Sequence, residues 1–124
     1  MASKIIEAGA SFQMESFVRG HHVYFTNWTP TVGEVLPVKC EVLNEYDHFA
    51  VAIWKDEEVV GHVPKALSKI TSFFLKYDGN VVFCEVTGRR VNHGVGLRME
   101  VPCVYKFYGR QAHIKKLQEL VSKQ

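Results

Sequence analysis

The sequence predicts a mainly β fold with inserted helices: a small antiparallel barrel, left partly open. Three observations point to it. Residues 97–107 alternate with a period of two, residues 49–60 read as two short apolar runs around a charged turn, and helical spacing is confined to residues 64–75 and 111–121. Strand and helix do not alternate along the chain, which excludes a doubly wound sheet and favours the barrel.

A chain of 124 residues is one domain by default, and its 47% apolar and 12% aromatic content can fill a core. No apolar run approaches the roughly 20 residues of a membrane-spanning helix. The start, Met1-Ala2-Ser3-Lys4, lacks the apolar segment of a signal peptide. The chain therefore reads as intracellular, nuclear or cytoplasmic, and not secreted. The formal net charge of +2 and a pI near 8.4 are only mildly basic, so local clustering of charge has to decide any nucleic-acid role.

Taken in order, residues 1–14 show no clear period and are expected to be an N-terminal arm. Residues 15–25 carry Phe17, Val18, Val23, Tyr24 and Phe25 and predict a first strand with a bulge at Gly20. Residues 27–33 have loop chemistry around Trp28, a ring that either folds back on the core or awaits a ligand; the high average burial of tryptophan favours the core. Residues 35–42 form a strand whose Pro37 suggests an exposed edge. The turn Asn44-Glu45-Tyr46-Asp47 precedes the hairpin, Phe49 to Trp54 and Val59-Val60 around a charged turn.

Gly61-His62-Val63-Pro64 closes the second hairpin strand and starts a helix, with proline at its first position. In that helix Ala66, Leu67, Ile70, Phe73 and Phe74 recur at helical spacing, and Tyr77-Asp78-Gly79-Asn80 stops it. Residues 81–87 are another strand, and residues 88–96 a glycine-bounded basic loop. In residues 97–107, Leu97, Met99, Val101, Cys103, Tyr105 and Phe107 share one face, and Pro102 on the other suggests an edge or a bulge. The final helix carries Ile114, Leu117, Leu120 and Val121 on one stripe. The organisation is thus an arm (1–14), a barrel domain (15–110) and a C-terminal amphipathic helix (111–124).

Chemistry is sparse. The three cysteines, Cys40, Cys84 and Cys103, lie among strand residues without metal-ligand spacing and read as buried free thiols. No serine or cysteine sits in an elbow context, and no GxxxxGK pattern is present. His21-His22 point to opposite faces if they lie on a strand. No enzyme, catalytic residue, cofactor or metal is expected.

Three places can bind, each with an ordinary structural alternative. Asn44 and Asp47 either bond their own backbone in a turn or, with Tyr46 as a stacking face, offer a carboxylate to a ligand hydroxyl. His62 and Lys65, three apart at a strand-to-helix junction, are either a loop-bonding histidine and a solvated lysine or a phosphate site at a helix N-terminus. Arg89, Arg90 and His93 are either solvated or, because glycine lets backbone approach a ligand, phosphate contacts that Arg98 and Lys106 extend.

Tyr24-Phe25-Thr26, then Asn44-Glu45-Tyr46-Asp47-His48-Phe49-Ala50-Val51, then Val60-Gly61-His62-Val63-Pro64-Lys65-Ala66-Leu67 resemble the HIRAN domain, which occurs in helicase-like chromatin and replication-fork remodellers and also alone. The match runs from about residue 21 to 109. It implies a six-stranded OB-like antiparallel barrel with inserted helices, acting as a nucleic-acid-binding module on single-stranded DNA and capturing free 3′-hydroxyl ends. By this resemblance Tyr24 and Phe25 stack on terminal bases, and Asn44, Tyr46 and Asp47 form the end pocket, with Asp47 accepting from the 3′-hydroxyl. His62 and Lys65 hold phosphate, and Met99 stands where family members place an aromatic. Two positions depart from the pattern of the DNA binders: Val23 replaces an arginine, and Phe49 an asparagine. The alternative is a protein-interaction module whose partner meets an aromatic patch of Tyr24, Phe25 and Trp28. Neither reading involves a membrane.

Overall fold

The computed structural model describes residues 9–20, 28–41, 49–89, 91–92 and 99–124. Its strands are β1 (Ala10–Val18), β2 (Val35–Cys40), β3 (Val51–Lys55), β4 (Glu58–His62), β5 (Val81–Val86), β6 (Val91–Asn92) and β7 (Met99–Gly109), with helices α1 (Lys65–Leu75) and α2 (Gln111–Ser122). Six strands form one antiparallel sheet in the order β1-β7-β5-β2-β3-β4, and the two-residue β6 pairs with β7.

The period-two stretch becomes an interior strand, β7. β7 pairs with β1 from Ala10↔Gly109 to Val18↔Val101, and with β5 from Val81↔Tyr108 to Val86↔Cys103. Its inward residues Val101, Cys103, Tyr105 and Phe107 are each at most 2% exposed. Full burial of such side chains contributes about 1.5–3 kcal/mol each, so this strand anchors the core. Tyr105 donates its hydroxyl to the Phe17 carbonyl at 2.7 Å, and burial, with the neighbouring Cys103 and Cys84 thiols, pushes its pKa up. Cys84 is likewise pushed up, by its hydrogen bond with Cys103 and by burial, so its thiol stays protonated. Cys40 is free but only half-buried, with its Sγ 3.8 Å from Ser72 Oγ.

Several boundaries differ from expectation. Residues 10–14, read as arm, are the first half of β1, where Ala10, Phe12 and Met14 face inward opposite Gly109, Phe107 and Tyr105. Neither proline marks an edge. Pro37 lies on β2, between β5 and β3, one residue before the β2–β3 ladder begins at Val38. Pro102 lies on β7 just past the β5 ladder, where its carbonyl still accepts from Thr87 N at 2.9 Å, so its missing N–H forfeits only a terminal bond. The hairpin turn is Asp56-Glu57, both at positive φ (51° and 76°), the backbone that matches the twist of the two strands.

The sheet is not closed by a continuous ladder. Its two edge strands meet at one antiparallel bridge, Arg19 opposite His62, with both N–H···O distances 2.8 Å. Gly61 makes this seam possible. A Cβ there would lie 2.3 Å from Val18 Cγ1 and 3.1 Å from the Arg19 carbonyl, so only glycine lets the edges approach. The helices then cover the core. α1 buries Leu67 and Phe74, α2 buries Ile114 and Leu117, and the Phe74 ring meets Phe107 edge-on at 5.5 Å. Asn80 ties the helices together, donating to the Phe74 carbonyl at 3.0 Å and accepting from Arg110 N at 3.3 Å.

Candidate nucleic-acid interface

Among the described residues, the junction of β4 and α1 brings together two expected site residues, His62 and Lys65. His62 is fixed twice: its backbone bonds Arg19 across the seam, and its Nε2 lies 3.3 Å from Glu41 Oε1. Val63 turns inward at 3% exposure while its N–H reaches the Val51 carbonyl at 3.0 Å. Pro64 is the residue before the helix, not its first member. Its extended backbone (φ −52°, ψ 142°) lets its carbonyl accept from Leu67 and Ser68. Lys65 follows as an exposed side chain on the first turn of α1. That turn has no side-chain cap and no acidic residue, so no side chain caps the N–H groups of Lys65 and Ala66, and Lys65 adds an exposed cation at the positive end of the helix dipole.

The remaining expected residues are spread wider. Arg89 is exposed in the loop after β5. Met99 opens β7, paired opposite Asn92. Tyr24, Phe25, Asn44, Tyr46, Asp47 and Arg90 lie outside the described residues, as do His93 and Arg98. Lys106 does not extend a basic stripe: its ammonium is 2.5 Å from Glu85 Oε1, and that hydrogen bond raises its pKa. Trp28 is not on a surface patch. Its ring is 2% exposed in the core, and its Nε1 donates to Glu34 Oε1 at 3.0 Å. An amphipathic ring with a nearby carboxylate for its N–H has no reason to stay in water.

Three ion pairs lie on or beside the sheet: Arg19–Glu100 at 2.6 Å, Lys55–Glu34 at 2.7 Å and Lys106–Glu85 at 2.5 Å. Among the described residues no cluster of histidine, cysteine and carboxylates can hold a metal, and no helix is long and apolar enough to cross a membrane.

One surface was not legible as a site. Phe73 and Tyr77 on and just beyond α1 are 44% and 48% exposed, and they border an apolar groove of about 310 Å³ between α1 and α2. The signal is present in the sequence: neighbours on a helix are about 100° apart, so Phe73 and Phe74 cannot both face the core.

No family model matches the chain, and no curated protein matches it. Solved structures do. The chain resembles the crystal structure of the HIRAN domain of human HLTF at a TM-score of 0.71 and 18% identity, over 93% of this chain and 91% of that one. It resembles the NMR structure of the HLTF HIRAN domain in its DNA-bound conformation at 0.67 and 18%, over 93% and 90%. A protein from Lactobacillus plantarum matches at 0.53 and 17%, over 81% of this chain and 98% of that one.

Proposed function

We propose that this chain, which has the HIRAN fold, is a DNA-binding module that takes single strands by their free 3′-hydroxyl ends. One observation carries the reading: over nine-tenths of the chain aligns with a HIRAN domain in a DNA-bound conformation. The β4–α1 junction supports it, because an exposed lysine beside uncapped helix N–H groups is suited to a phosphate. Lys65 is then the phosphate anchor with His62 beside it, and Arg89 and Arg90 add contacts further along the strand. Tyr24 and Phe25 stack on the last bases, Asn44, Tyr46 and Asp47 enclose the end, and Met99 borders it. An ionised Asp47 accepts from the terminal hydroxyl and repels a terminal phosphate. The aromatic-patch alternative loses its tryptophan to the core.

The test is a titration with labelled single strands ending in 3′-hydroxyl or 3′-phosphate. The hydroxyl strand should bind tighter, and Asp47→Ala should reduce that preference without abolishing binding. Two or three phosphate contacts give a shallow salt dependence, about −0.7 in log K per contact. Equal binding of both ends by the parent chain would end the 3′-end reading, with Val23→Arg as the direct follow-up. Binding indifferent to salt would remove the lysine and arginines from the interface.

A further inference from the structure

The helical layer holds a second surface with different chemistry. Residues 65–78 and 110–124, the two helices and their flanks, carry seven lysines and arginines against two carboxylates, whereas the rest of the chain carries eight against eleven. The groove between the helices is lined by Ile70, Phe73, Tyr77, Leu117 and Leu120, with Lys116 and His113 at its edge. Its floor is rigid, because Phe74 and Leu117 are buried in the core at 4% and 2% exposure. Its rim is cationic: Lys116 lines the groove, and Lys76 Nζ lies 5.7 Å from the ring centroid of its lining residue Phe73. The groove lies toward the C-terminal end of α1, about 12 Å along the helix axis from Lys65.

We propose that this groove docks an acidic amphipathic helix from a partner protein. Three features select that occupant. The apolar floor suits leucine- or phenylalanine-type anchors, and a helix places such anchors in a groove at i, i+3, i+4 and i+7. Both walls are helices, whose backbone groups are internally bonded, so an extended strand would find no ladder to join, while a helical ligand satisfies its own backbone. The lysine rim complements carboxylates flanking the anchors. Nucleic acid fits less well. His113 Nδ1 is 3.0 Å from Asn80 Nδ2, and the Tyr77 ring stacks on the His113 ring at 4.2 Å, so the groove's polar edges are already engaged.

The test is selection of a displayed library of random peptides, each about 16 residues or four helical turns, against the full chain. Enriched peptides should be net acidic with apolar residues at helical spacing. Phe73→Ser and Lys116→Glu should each weaken an enriched peptide about tenfold or more, as anchor and rim positions do. Both substituted side chains are substantially exposed, so the variants should fold, and both should bind a 3′-hydroxyl oligonucleotide like the parent. An unenriched library, enrichment without acidic or helical bias, or peptides indifferent to both variants would overturn the proposal. So would single strands or anionic phospholipid vesicles whose binding falls about tenfold in Phe73→Ser, since the groove would then belong to them.

Discussion

The sheet and the helical layer treat charge in opposite ways. On the sheet most of the described cations are met: Arg19 by Glu100, Lys55 by Glu34, Lys106 by Glu85, and His62 sits beside Glu41. On the helices and at their ends, Lys65, Lys69, Lys76, Lys115 and Lys123 form no salt bridge among the described residues, and Lys116 reaches only Glu119, at 3.9 Å on the helix surface. The packing differs in the same sense. The seam between β1 and β4 has no room for one methyl group, while the junction of the helices leaves an open groove. Where groups are close and paired they specify the fold. Where charge is unmatched and apolar surface uncovered, the surface is open to a complement from outside.

The strongest way to break this contrast is to crowd the seam. Gly61→Ala puts a Cβ against Val18, a fully buried side chain with nowhere to turn, and against the Arg19 carbonyl. Overpacking of this kind costs about 1–3 kcal/mol. The midpoint of urea unfolding should fall accordingly, with the slope unchanged. A shift too small to measure would mean that the edges of the sheet part easily and the seam is no tighter than the groove.

A smaller loss is expected from the paired charges. Burial alone would raise the Glu34 pKa, but hydrogen bonds from the Lys55 ammonium, the Trp28 indole and the Thr31 amide outweigh it and hold the carboxyl below its ordinary range. A depressed folded-state value means that its stability contribution is present above the unfolded pKa and lost as pH falls through the folded one. Glu34→Gln should therefore cost about 1–2 kcal/mol at neutral pH, at the modest end for hydrogen bonds to a charged group. The variant and the parent should converge in stability on acidification below the carboxylate range. A gap that stays constant with pH would assign the loss to shape instead of charge.

The sheet was legible where burial is one-sided. The alternation read over residues 97–107 identifies the strand, observed as Met99–Gly109, and its buried face at Val101, Cys103, Tyr105 and Phe107, because a half-buried strand must alternate. The same alternation runs through Ala10, Phe12 and Met14 against Ser11, Gln13 and Glu15, but small and polar residues dilute it below notice. Pro37 and Pro102 mislead because a proline forfeits one bond, and an interior strand can place that bond beyond the end of a ladder. Gly61-His62-Val63-Pro64 reads as a functional motif, yet each member also serves the fold, in turn through close approach, seam bridging, core filling and helix entry. No local pattern could show that Gly61 meets Val18, since that contact joins distant strands. Lys65 was legible as an exposed cation at a helix start, whereas the groove depends on how two helices far apart in sequence sit together.

The smallest effect expected is also the sharpest test of the contrast. Replacing both Lys115 and Lys116 with glutamine removes two charges from the exposed face of α2. Lysine and glutamine have similar helix propensity, so the backbone should be indifferent. The one ion pair lost is an exposed i,i+3 contact to Glu119 at 3.9 Å, worth about 0–0.5 kcal/mol. Relief of repulsion within two helices and flanks that carry seven basic and two acidic residues acts in the opposite direction. The double variant should therefore match the parent within about 0.5 kcal/mol in urea unfolding. Its affinity for an acidic peptide should nevertheless drop, and the salt dependence of that affinity should become shallower. A loss of more than about 1 kcal/mol would make these lysines part of the fold, like Lys55, and would erase the distinction between the paired sheet and the unpaired helices.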